Sequence, residues 1–209
     1  MSKKRRTLNV ARRTCSPSGA SIGTAASVDV AVLSTRPLAA VHRHRATNPL
    51  TLPDGTVTTF SRELLEVHVQ TERGKDVVLF AAHFRSKVND EPARRLAEAQ
   101  AASRIVNERA MQSPGALVVL GGDLNDTPGS PPLNALVVDG ALVRVADDLP
   151  IGAQATYVYQ GNGQAIDHLL LAPSASVVRL PRSSKVWRDA DGWGGSDHAA
   201  LSSDFVLPY

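Results

Sequence analysis

"LVVLGGDLNDTP" (117–128) is a run of apolar residues that halts at two glycines and then presents Asp123, Asn125 and Asp126 in quick succession. Apolar side chains without polar alternation describe a strand covered on both faces. The glycines, the Asx residues and Pro128 that follow carry turn chemistry. A buried strand that opens into a polar loop is a place where a rigid scaffold presents reactive groups. Three other stretches share the pattern. "VVLFAAH" (77–83) ends at His83, "IDHLLLA" (166–172) opens with Asp167, and "GSDHAAL" (195–201) sets Asp197 and His198 ahead of an alternating closing strand over 199–207.

The stretches between them read as ordinary elements. "LLEVHVQ" (64–70) alternates with period two, and with 77–83 it predicts a hairpin across the turn "ERGKD" (72–76). A helix is expected over about residues 92–111, with Pro92 in its first turn and Leu96, Ala99, Ala102, Ile105, Val106 and Ala110 as its apolar stripe. "SPG" (113–115) ends it, and "LNALV" (133–137) suits a shorter helix. Upstream, "VDVAVL" (28–33) and "LAAVHRHR" (38–45) read as strands, while 47–59 and 138–165 are loop-like. The order is strand-rich with interspersed helices. It predicts an α+β fold of packed sheets with helices outside, in place of a parallel βαβ wheel.

Composition narrows the class. The 209 residues, 43% apolar and 21% charged, suit one folded domain. No apolar run is long enough to cross a membrane as a helix. Cys15 is the only cysteine, so no internal disulfide and no multi-cysteine zinc site are expected. Residues 1–13 hold six basic side chains and no acid, and removing them from the net +3 leaves 14–209 at −3. Basicity is therefore a property of the opening stretch. Residues 1–27, polar and without periodicity, are expected to be a disordered tail, and 28–209 the domain.

The polar residues at the strand ends share one chemistry. Carboxylate and amide oxygens are hard donors suited to Mg²⁺. A carboxylate beside such an ion can orient or deprotonate water. Histidine can move a proton or meet charge on a phosphoryl oxygen, and a carboxylate paired with it fixes its tautomer. Taken singly, Asp123 reads as a turn residue and His83 as a hydrogen-bonded structural one. His168 should face away from Asp167 and be structural. His42, His44 and His68 fall on polar faces and read as solvated, and Glu63 and Glu66 as strand-edge charges. Ser196 reads as a turn residue.

Taken in order, "VAVLSTRPL" (30–38), "FSRELLEVHV" (60–69), "VLFAAHFRSK" (78–87), "LVVLGGDLNDTP", "QAIDHLLL" (164–171) and "GGSDHAAL" (194–201) resemble the endonuclease/exonuclease/phosphatase family, the DNase I-like metal-dependent phosphodiesterases. The resemblance implies a four-layer α/β/β/α sandwich with the site at one edge of the sheets. It implies that Asp123 positions the attacking water, Asn125 contacts phosphate, Asp167 partners His198, and His198 is catalytic. His83 resembles the mid-chain histidine of nuclease-type branches, and Asp197 resembles a metal ligand. Arg85 and Lys87 are candidate phosphate contacts. Mg²⁺ or Mn²⁺ is the implied cofactor, and a phosphodiester, DNA or RNA among them, the implied substrate.

One part of the family pattern has no counterpart. The opening strands, with their asparagine and metal-binding glutamate, are not recognisable, and residues 1–62 contain no glutamate. The expectation is an N-terminally truncated member with impaired hydrolysis. A non-catalytic remnant that binds phosphate, nucleic acid or a protein partner is an alternative, and so is a phosphatase on a small molecule or lipid headgroup. The basic opening lacks the apolar core of a signal peptide, so the chain as written is expected in the cytoplasm, with secretion left open for full-length relatives.

Overall fold

The computed structural model describes residues 18–21, 29–71, 76–173, 178–188 and 195–207. In chain order the first strands are β1 (Ser18–Ser21), β2 (Ala31–Ser34), β3 (Leu38–Arg43), β4 (Leu50–Thr51), β5 (Val57–Thr58), β6 (Leu65–Gln70) and β7 (Asp76–His83). Helix α1 (Pro92–Gln112) leads to β8 (Leu117–Asp123), and α2 (Pro131–Val137) to β9 (Val143–Arg144). Short strands follow: β10 (Tyr157–Tyr159), β11 (Asn162–Gln164), β12 (Asp167–Leu171), β13 (Val178–Arg179), β14 (Lys185–Trp187), β15 (Ala200–Ser202) and β16 (Phe205–Val206).

The central sheet has six strands in the order β3-β6-β7-β8-β12-β9. The β6–β7 hairpin pairs as the alternation predicts, with Leu65 opposite Ala81 and Gln70 opposite Asp76. β7 and β8 are parallel and joined through α1, so one right-sized βαβ crossover sits within an otherwise antiparallel sheet. A parallel pair needs such a crossover, and α1 supplies it. Proline at the start of α1 costs no hydrogen bond, because that N–H has no intrahelical partner.

Period-two alternation divides the sheet into two faces. Leu64, Val78, Phe80, Ala82, Val118, Leu120 and Leu170 pack with Ala99, Ala102, Ile105 and Val106 of α1 and with Leu133 and Leu136 of α2. Each fully buried Leu or Phe there contributes about 1.5–3 kcal/mol of transfer free energy. The opposite face holds Leu65, Val67 and Val69 against Val30 and Val32, and Leu117, Val119 and Leu171 against Phe205 and Leu207. Among the described residues that face is covered by two-stranded ladders, β1–β2, β13–β16 and β14–β15, in place of one continuous second sheet.

Several expectations change. Ser18–Ser21, placed in the tail from sequence, form β1 and pair with β2; the rest of 1–27 lies outside the described residues. The closing strand over 199–207 is two strands, because Ser203 and Asp204 turn aside to Ser183. Glu66 is not a strand-edge charge: it is 1% exposed and binds His44, His68 and Arg109. Gly122 has no freedom to change: a Cβ there would lie 1.9 Å from the Ala82 carbonyl oxygen, at φ 141°. The backbones of β7 and β8 approach that closely one residue before Asp123.

Candidate active site

Three strand ends carry the site. β7 ends at His83, β8 ends at Asp123 and β12 begins at Asp167, and these residues are register partners across the three strands. Neighbours in register lie on one face, so the sheet itself sets the three side chains in a row. The Nε2 of His83 lies 3.6 Å from Oδ2 of Asp123. The loop before β15 brings in His198, whose Nδ1 donates to Oδ2 of Asp167 at 2.8 Å. The other ring nitrogen, Nε2, is then the one available for proton transfer.

Local contacts hold these groups. The His198 N–H donates to Ser196 Oγ at 3.1 Å, the turn role expected for that serine. The Tyr157 ring lies against the imidazole, with centroids 4.8 Å apart. Thr156, 2% exposed, accepts the Asp167 N–H through Oγ1 at 3.1 Å. Its carbonyl accepts the Ala199 N–H at 2.7 Å, so one buried threonine joins both halves of the Asp–His pair. Asn125 adopts φ 54°, a left-handed conformation that asparagine tolerates. Its N–H donates to Asp123 Oδ1 at 2.9 Å, and its amide donates to the Phe84 carbonyl at 3.1 Å.

The electrostatics separate the titratable groups. Burial, with the neighbouring Asp167 charge, pushes Asp123 up to about 6. Burial, with the positive charge of Arg62, lowers His83 to about 4, so it is neutral near pH 7. Burial also opposes a charged His198, but the Asp167 hydrogen bond and charge outweigh it, and its pKa is raised.

The remaining sequence candidates stand apart. Arg85 pairs with Glu91 at 2.7 Å, and Lys87 with Asp126 at 3.2 Å. Asp197 is exposed and lines a small cavity of about 180 Å³ with Tyr157, Trp187 and Arg188. Arg62 joins the site through the fold. Its Nη1 donates to the same Phe84 carbonyl that Asn125 uses, at 3.1 Å, and its charge reaches His83 and Asp123. Nothing in "TFSRELL" separates that arginine from a surface charge. Glu98 of α1, which accepts the Ser61 and Arg85 N–H groups at 2.5 and 2.6 Å, fixes the two segments that flank it. His168 points the other way from Asp167, as expected, with its Nε2 on the Asp126 carbonyl and its Nδ1 accepting from Arg144.

Ligand atoms of Asp123, Asp167 and His198 lie within 4.8 Å of one another. Hard carboxylate oxygens converging at a half-buried point fit a divalent cation. A cavity of about 420 Å³, lined by Val30, Leu79, Ala81 and Leu169, opens beside His83 and Asp123.

A mixed sheet with few helices matches the DNase I-like fold. The chain matches the Endonuclease/Exonuclease/phosphatase family over residues 6–198 and belongs to it. That match reaches into the stretch set outside the domain from sequence. The family is divalent-metal dependent, and Asp123, Asp167 and His198 form one of two groups among the described residues that could hold such an ion. Among solved structures the chain is similar to the human Nocturnin catalytic domain, at TM-score 0.63 and 15% identity, covering 85% of this chain and 62% of that one. It is similar to truncated Caenorhabditis elegans TDP2, at TM-score 0.60 and 18% identity, covering 90% of this chain and 75% of that one. It is also similar to an endonuclease/exonuclease/phosphatase from Beutenbergia cavernae, at TM-score 0.57 and 19% identity, covering 85% of this chain and 47% of that one. These likenesses are of fold. Comparison with curated protein sequences gives no match. No helix among the described residues is long and apolar enough to cross a membrane.

Proposed function

We propose that the protein is a metal-dependent phosphodiester hydrolase of nuclease type. The observation that carries this reading is the register row His83–Asp123–Asp167 closed by the 2.8 Å Asp167–His198 bond. Asp123 orients the attacking water and takes its proton. Asp167 holds His198 in the tautomer that presents Nε2, and the charged imidazole faces the developing phosphoryl charge or protonates the leaving oxygen. The Asn125 amide and the Arg62 guanidinium flank the phosphate, and neutral His83 offers a hydrogen bond to it. Mg²⁺ or Mn²⁺ would be held by Asp123 and Asp167, with Asp197 as a further candidate ligand, and would supply Lewis-acid polarisation of the phosphate.

The reading includes weak metal binding and slow turnover. Each described glutamate is engaged elsewhere: Glu63 caps the His44 and Arg45 N–H groups, Glu66 binds histidines and Arg109, and Glu91, Glu98 and Glu108 serve α1 and its flanks. Among the described residues the carboxylates of the site group are therefore aspartates. DNA and RNA are the proposed substrate classes. The test is hydrolysis of plasmid DNA and bis-p-nitrophenyl phosphate with and without Mg²⁺ or Mn²⁺. Turnover that needs metal and falls by about 10²–10⁴ in His198→Ala supports the proposal. Turnover unchanged in His198→Ala would refute it. A folded protein that binds phosphate without turnover in either metal would favour the non-catalytic alternative.

A further inference from the structure

On the α1 side of the sheet, opposite the face of the His83–Asp123–Asp167 row, lies a second group of donors. His42 of β3 is the direct register partner of Glu66 of β6, and His68 follows Glu66 by two residues on the same face. The partner of His68 is Ala40, whose small side chain leaves room for the His68 ring to lean toward His42. The two rings meet edge to face with centroids 5.3 Å apart. Ligand atoms of His42, Glu66 and His68 all lie within 4.8 Å of one another.

The surroundings complete a ligand set. The Glu66 carboxylate is 1% exposed, and a buried carboxylate must be paired. His44 Nε2 donates to Oε2 of Glu66 at 2.8 Å, and the Asn48 amide lies 3.3 Å from His44 Nδ1, which fixes that tautomer. One carboxylate oxygen is thereby anchored from behind, as outer partners orient the ligands of metal sites. The other oxygen, Oε1, meets His68 Nε2 at 2.5 Å and Arg109 Nε at 2.6 Å. The Arg109 contact is ionic and undirected: its buried Nε has no hydrogen-bond partner. Arg109 is a quarter exposed and can turn to solvent. His42 is exposed, and its ring nitrogens have no hydrogen-bond partner among the described residues, so the group is open on that side.

We infer that His42, Glu66 and His68 form a transition-metal site, suited to Zn²⁺, that joins edge strand β3 to β6. Two imidazoles and one carboxylate match zinc sites with an open fourth position, which water fills from the His42 side. Mg²⁺ and Ca²⁺ prefer all-oxygen sets and are poor matches. Zinc replaces Arg109 as the cation that compensates the buried Glu66.

The test measures Zn²⁺ and Mg²⁺ binding by calorimetry, with thermal melting alongside. The full chain carries Asp123→Asn and Asp167→Asn, which remove both carboxylates proposed to hold Mg²⁺ or Mn²⁺ at the other donor group. Expected are one zinc per chain, little response to Mg²⁺, and a zinc-dependent rise in melting temperature. Adding His42→Ala, at an exposed position that does not threaten folding, lowers zinc affinity by about 10-fold or more and abolishes the melting shift. His42→Ala alone leaves phosphodiester hydrolysis unchanged. Zinc affinity indifferent to His42→Ala, or no zinc binding by the folded chain, would overturn the inference.

Discussion

Gly121 and Gly122 are consecutive in sequence and opposite in consequence. A Cβ at Gly121 would crowd the tip of Leu169, at 2.7 Å, which can rotate away, and would meet the His168 carbonyl oxygen at an ordinary 3.7 Å. At Gly122 it would strike the Ala82 carbonyl at 1.9 Å, and φ 141° is a backbone region that side chains rarely adopt. Gly122→Ala should therefore cost more than about 3 kcal/mol in urea unfolding, and Gly121→Ala about 1 kcal/mol or less. Equal costs would show that the strands have room to part. Thr156 allows a second test at this scale. Its hydroxyl accepts the Ile166 and Asp167 N–H groups at 3.3 and 3.1 Å. Thr156→Val keeps the shape and leaves both donors unpaired, at about 1–3 kcal/mol each. If Thr156 positions the Asp–His pair, kcat falls while KM holds, and Thr156→Ser restores it.

Among the elements, α1 does more than cover the sheet. Its stripe packs the inner face, and Glu98 collects the N–H groups of Ser61 and Arg85, the segments that carry Arg62 and Phe84. Burial raises the Glu98 pKa even though those N–H groups lower it. Glu98→Ala should cost about 2 kcal/mol or more and should raise KM, because Arg62 loses the segment that aims it. Unchanged KM in a folded variant would place Arg62 outside substrate contact. A further link runs through the loop after β8, where Asp126 pairs with Arg95 at 3.0 Å and Arg95 with Asp90 at 2.6 Å. The helix and the loop that follows Asp123 are thereby tied together on the side away from solvent.

For the whole molecule, acid is the most informative perturbant. Burial lowers His168 from 6.5 to about 4, against the opposing pull of the Asp126 carbonyl. The folded state then holds fewer protons than the unfolded state between those values, and stability falls as pH drops from 6.5 toward 4. The contribution is fully present above 6.5 and reaches up to about 3 kcal/mol. Asp126, whose pKa is lowered against burial by Arg95, Lys87 and Thr127, adds a loss at more acidic pH. Urea midpoints should thus fall between neutral pH and about pH 4.5, and the fall should shrink in His168→Gln. An identical pH slope in that variant would assign the acid sensitivity elsewhere.

The strand ends were legible because burial and turn chemistry leave local marks: "LVVLGGD", "AAH" and "IDHLLL" each announce an apolar run that stops at a polar group. The hairpin, α1 and its apolar stripe followed from periods of two and 3.6 in the same way. The family and the facing of His168 away from Asp167 were within reach of the sequence alone. Tertiary structure decided what depends on register across strands distant in the chain. It set His83, Asp123 and Asp167 side by side, brought Arg62 to the Phe84 carbonyl, and turned Arg85 and Lys87 toward Glu91 and Asp126. It also buried Glu66 among His44, His68 and Arg109, where alternation had suggested a wet face. Period two shows which side of a strand a residue faces, but only the neighbouring strands and α1 determine whether that side meets water.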